Sequence, residues 1–215
     1  MLPIAADAPA SDDVIAYAGP SGKPLQATYK HVDGLAFQDE VGALILQCCQ
    51  TVPFGVLVFC SSYSMIDKLK TRWVVTGLWS QLQGVKEVLV EPRATEKSEF
   101  ESILNTFYRA VEGGQKPGVT GALFFAVARG KVSEGLDFSD NNARAVISLG
   151  IPFPSLADQQ VAEKRKFNDS RAKTMGVLTG SRWYESQAFR ALNQGLGRCI
   201  RHRNDWGALL IVDGQ

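Results

Sequence analysis

The chain has 215 residues, 45% of them hydrophobic and 21% charged, with 23 Lys and Arg against 22 Asp and Glu. That suffices for one domain with a sizeable core, is too short for two full α/β domains, and excludes wholesale disorder. A net charge of +1 excludes a polybasic mode of action, so any nucleic-acid contact has to come from a local patch.

Four cysteines (Cys48, Cys49, Cys60 and Cys199) show no CxxC spacing, which points away from a disulfide or zinc scaffold and toward a reducing compartment. No run of about 18 apolar residues is present, so no membrane partner is expected. The first residues lack the basic and apolar stretches of a secretory signal.

Residues 1–34 are rich in Ala, Asp, Gly and Pro without a period and predict an irregular lead-in with room for one short strand. Within them, Gly19-Pro20-Ser21-Gly22-Lys23 imitates a phosphate loop. Its glycines have two residues between them instead of four, and Pro24 follows the lysine, so it reads as a turn. Residues 35–215 read as a single α/β domain. Val41, Leu44, Ile45 and Cys48 recur at helical spacing from Phe37 to the stop at Pro53. Asp39 and Glu40 suit the start of that helix.

Gly55–Cys60 is continuously apolar, as a central parallel strand covered on both faces requires. A helix is then expected to about Trp79, a strand over 87–90, and an amphipathic helix over 96–111 with Phe100, Ile103, Leu104 and Phe107 on one face. Strands follow at 121–127 and 144–149, helices at 158–173 and 182–200, and a last strand at 206–212. Alternating strands and helices imply right-handed crossovers and a mostly parallel sheet flanked by helices. Ligands of such sheets bind beyond the carboxyl ends of the strands.

Two segments concentrate chemistry. The loop leaving the third strand, 128–138, combines Arg129, Lys131, Glu134 and Asp137 with Gly130 and Gly135. Glycines admit a close backbone approach to phosphate, and the carboxylates suit arginine or a metal-bound water. A solvated glycine turn accounts for the same residues, and local chemistry leaves both readings open. In the second segment, a helix through residue 200 places Gln194, Arg198 and Arg201 on one face. Between Arg182 and Arg203 there are five arginines and one acid, Glu185. Planar guanidinium groups suit polyphosphate. A solvated basic face explains the arginines but not Gly195 and Gly197. His202 has no partner at metal-ligand spacing and reads as a structural hydrogen-bonding residue.

These segments resemble helicase motifs. Residues 130–138 resemble motif V, 194–202 resemble motif VI (QxxGRxIRH), and 58–63 resemble motif IV of the XPD/DinG group of iron–sulfur DNA helicases in superfamily 2. The wording of 37–42 and 190–208 is similar to the group-J-type branch. The resemblance implies a RecA-like motor lobe, the second of two in an ATP-dependent 5′–3′ helicase acting in DNA repair in the nucleus. ATP and Mg²⁺ would be shared with an N-terminal lobe, which would also carry the iron–sulfur cluster. It assigns Arg198, Arg201 and Gln194 to catalysis, Glu134, Gly135 and Asp137 to the nucleotide, and Ser61, Ser62, Tyr63, Arg129 and Lys131 to single-stranded or forked DNA. No metal ligand is assigned to this chain, repair proteins are implied as further partners, and this lobe alone is expected to be inactive. The alternative is a non-catalytic nucleic-acid- or partner-binding module with the same fold.

Overall fold

The computed structural model describes residues 19–22, 25, 27, 31–93, 97–113, 117–130, 132, 138–200 and 202–213. Along the chain these form α1 (Leu35–Thr51), β1 (Val56–Cys60), α2 (Tyr63–Val75), α3 (Leu78–Val85), β2 (Glu87–Val90), α4 (Lys97–Glu112) and β3 (Ala122–Val127). A 3₁₀ turn (Asp140–Ala143), β4 (Ala145–Leu149), α5 (Gln159–Met175), α6 (Gly180–Leu196) and β5 (Ala208–Val212) follow. The described strands make one parallel sheet in the order β2-β3-β1-β4-β5.

Strand period places alternate residues on opposite faces. Val56, Val58, Leu123, Phe125 and Ile147 meet α1, α2 and α3 in one core. Leu57, Phe59, Phe124 and Val146 meet α4 in the other, where Cys199 is also buried. All of β1 is buried, as its unbroken apolar run requires. Helix α6 lies against β4, and α5 packs on α6. The two helices form a hairpin, with Asp169 accepting the Gly180 N–H at 2.7 Å.

The lead-in falls mostly outside the described residues. Its turn at 19–22 is closed by Gly22 N–H to Gly19 C=O at 2.8 Å. The carboxylate of Glu40, at 2.6 Å from the Ser21 nitrogen, takes the place an anion would need.

The helix expected to reach Trp79 instead stops at Val75. Gly77 adopts a left-handed φ of 77° and starts α3, whose Trp79 and Leu82 fill the core. Glycine enters that conformation without steric penalty. Lys86 is fully buried at the amino ends of the strands, donating to the carbonyls of Val52 at 2.8 Å and Phe54 at 2.9 Å.

Candidate functional site

Three chain segments converge at the carboxyl ends of β1 and β3. Ser61, Ser62 and Tyr63 leave β1, and Ser62 caps α2 by accepting the Met65 N–H at 3.2 Å. The exit of β3 is tied to β1 by Ala128 N–H to Cys60 C=O at 2.9 Å. Arg129 follows with a left-handed φ of 66°, strained for a residue with a side chain. Its guanidinium is anchored to the carbonyls of Pro152 at 3.2 Å and Gln187 at 2.6 Å. It therefore bridges the third strand's exit, the loop after β4, and α6. Two of its five N–H donors serve that bridge; the residue as a whole is exposed.

Glu91, at the end of β2, is a residue of the site that the motifs did not indicate. It is 1% exposed and accepts the Val127 N–H at 2.8 Å. A side chain at Gly130 would put its Cβ 2.8 Å from a Glu91 carboxylate oxygen, so glycine is required there to seat the loop on this group. Tyr63 donates to the Pro92 carbonyl at 3.3 Å and lies under the Arg93 guanidinium. Burial raises the Tyr63 phenol above its ordinary range, and the Glu91 carboxylate adds to that shift. One buried acid thus joins the start of the motif IV helix to the start of motif V. The clue in the sequence was an acid directly after an apolar strand, at the end where ligands bind.

Lys131, Glu134, Gly135 and Asp137 lie outside the described residues, as does Arg201. The residues beside them are well anchored. Val132 and Phe138 are fully buried in the core beneath α4, and Phe138 meets Phe107 edge-on at 5.3 Å.

Helix α6 ends earlier than its sequence suggested. It stops at Leu196, and the chain continues through bonds from Arg198 N–H to Gly195 C=O and Cys199 N–H to Leu196 C=O. These i→i−3 bonds tighten the last turn, so Arg198 is not held at α-helical spacing from Gln194. Gln194 is exposed on the outer side of α6, beside an open depression of about 500 Å³ shared with Ser186, Phe189, Arg190 and Asn193. Arg198 is half-buried. Gly195 faces inward: a Cβ there would lie 3.4 Å from the Phe59 ring. The approach it permits is between α6 and β1 rather than between helix and phosphate. His202 makes the structural hydrogen bond expected of it, to Asp140 at 2.9 Å.

The family model described as the helicase C-terminal domain matches residues 45–215. The chain belongs to this family. It is 58% identical over 198 residues to the Fanconi anemia group J protein homolog of Gallus gallus, covering 92% of this chain and 16% of that protein. It is 43% identical over the same length to the regulator of telomere elongation helicase 1 homolog of Drosophila ananassae, covering 92% of this chain and 19% of that protein. The domain thus spans a fifth or less of the length of the curated relatives it matches. Among solved structures, an XPD helicase superposes with a TM-score of 0.57 at 17% identity, covering 88% of this chain and 30% of that one. The XPD4 protein of S. tokodaii gives a TM-score of 0.53 at 16% identity, covering 88% of this chain and 32% of that one. These structures bear out the RecA-like α/β fold.

Gln194 is exposed and Arg198 half-buried, and both side chains carry N–H groups. Glu91, buried and bonded to backbone, is not placed to serve as a Mg²⁺ ligand. The four cysteines do not suit an iron–sulfur cluster. Cys48 and Cys49 are buried on α1, Cys60 on β1 and Cys199 after α6; they form no group of three ligands among the described residues, and burial pushes their thiols up to about 11 or 12. A cluster needs thiolates.

Proposed function

We propose that this domain is the second motor lobe of an ATP-dependent 5′–3′ DNA helicase that acts in DNA repair in the nucleus. The observation that carries the reading is the RecA-like parallel sheet of a chain that matches the helicase C-terminal domain and is 58% identical over 198 residues to a group J homolog. ATP bound with Mg²⁺ to the first lobe supplies the phosphoryl group, and the iron–sulfur cluster belongs to that lobe. Arg198 and Arg201 reach across the cleft between lobes and stabilise charge on the transferring group. Gln194 orients the attacking water. Glu134, Gly135 and Asp137 relate the nucleotide to the DNA-facing loop.

Ser61, Ser62 and Tyr63 stand at the amino end of α2, where backbone N–H groups favour a phosphate. With Arg129 and Lys131 they follow the backbone of single-stranded or forked DNA without reading sequence. Repair proteins are further partners of the full-length enzyme.

Arg198 decides the reading. In the full-length helicase, Arg198→Ala and Arg198→Lys are both expected to lower single-turnover ATP hydrolysis by about 10³- to 10⁵-fold. Lysine keeps the charge but lacks the planar fork. Nucleotide affinity should change far less, because the contact acts mainly on the transition state. Near-normal hydrolysis by the Lys variant would take Arg198 out of the catalytic machinery and contradict this reading.

A further inference from the structure

The segment joining motif VI to β5 is tied down at the opposite end of the sheet from the loops described above. Arg144, at the start of β4, is 7% exposed. Its guanidinium forms an ion pair with Asp205, donates to the Trp206 carbonyl at 2.7 Å, and gives two hydrogen bonds to the Asn141 side-chain oxygen at 3.0 and 3.1 Å. It also lies 4.6 Å from the centre of the Trp206 ring. The Asp205 side chain is fully buried. A buried carboxylate is tolerable only when paired and hydrogen-bonded, and Asp205 also accepts the Trp206 N–H at 3.0 Å.

Further ties hold the same segment. His202 meets Asp140 at 2.9 Å, and the Asp205 N–H donates to the His202 carbonyl at 3.0 Å. Cys199 is fully buried against Gly207, where any Cβ would overlap its sulfur. Asp140 and Asn141 belong to the 3₁₀ turn that directly follows motif V. Asp140, His202 and Asp205 place donor atoms within 4.8 Å of one another, but the guanidinium of Arg144 already neutralises Asp205.

We propose that Arg144, Asp205 and His202 form a latch joining the exit of motif V to the exit of motif VI, and that Arg144 and Asp205 are positioning residues for ATP hydrolysis. The latch ties His202 and Asp205, which close motif VI and its exit, to the 3₁₀ turn and to Arg144, while Cys199 packs against Gly207. It makes the course of the chain after Arg198 depend on the turn that follows motif V. This role rests on the motor-lobe reading above.

The test uses the full-length helicase with Asp205→Asn, Arg144→Lys and the combined variant, and with His202→Asn at a half-exposed position where folding is not at stake. Single-turnover hydrolysis, nucleotide Kd and melting temperature are measured on each. Asp205→Asn and Arg144→Lys should each lower turnover by about 10- to 100-fold, the scale of a displacement near 1 Å in a reacting group. Nucleotide Kd should move by less than about threefold. The combined variant should be no worse than the poorer single one, because both break the same tie. His202→Asn should show a smaller loss in the same direction.

Lower melting temperature with turnover within about twofold of wild type would make the cluster merely structural and overturn the proposal. If the Arg144 and Asp205 variants do not fold, unchanged turnover in His202→Asn overturns it. Arg198→Ala run in parallel separates the two readings. If Arg198→Ala is inactive while the latch variants are normal, only the latch fails. If Arg198→Ala itself is normal, the motor reading fails.

Discussion

Lys86 and the four cysteines are the residues whose chemistry the interior changes most. Burial lowers the Lys86 ammonium to about 8 from its ordinary 10.5 and raises Cys48 and Cys199 to about 11 and Cys49 and Cys60 to about 12 from 9.0. The signs oppose each other. The folded state sheds the Lys86 proton before the unfolded state does, so Lys86 adds stability as pH rises from about 8 to 10.5. The thiols behave oppositely: the unfolded state ionises them from pH 9, and stability is lost as pH rises toward their folded values. Four thiols outweigh one amine. The urea midpoint of this domain should be nearly flat between pH 8 and 9 and fall steeply above it. In Lys86→Met the fall should be steeper still, since the opposing group is gone. A midpoint that holds or rises above pH 9 would show that the thiols are not buried in this way.

Among the elements, α6 rests on β1 at Gly195, where a Cβ would already touch the Phe59 ring at 3.4 Å. Gly195→Leu should force the helix off the sheet and destabilise the domain by about 1–3 kcal/mol, as overpacking does. Gly197→Ala, at an exposed position with a φ of −63° but with its Cβ 3.0 Å from the Asn193 carbonyl oxygen, should cost less than Gly195→Leu. Equal unfolding midpoints for Gly195→Leu and wild type would place the helix elsewhere.

The same elements show how far the sequence could be read. β1 and β3 were legible because strands buried on both faces are continuously apolar, and the ligand-binding ends of the strands followed from the parallel order. The break at Gly77 was not legible, since Val74 and Val75 continue the apolar spacing yet are exposed. The end of α6 was misplaced because arginine and isoleucine carry no stop signal, whereas Gly195 and Gly197, taken for a phosphate approach, weaken the helix. Glu91 and the Arg144–Asp205 pair were invisible because their partners lie 36 and 61 residues away. Local pattern carries no record of such pairings.

At the scale of the whole molecule, the proposed motor needs a first lobe, because this sequence carries no P-loop. Its net charge of +1 leaves any DNA contact to a small local patch. The most direct test of the account is to mix this domain with the purified first lobe of its full-length helicase and measure ATP hydrolysis with and without single-stranded DNA. The account predicts that this domain alone hydrolyses no ATP and that the mixture gains DNA-stimulated turnover, which Arg198→Ala in this domain removes. DNA-stimulated hydrolysis by this domain alone, or a mixture indifferent to Arg198→Ala, would contradict it.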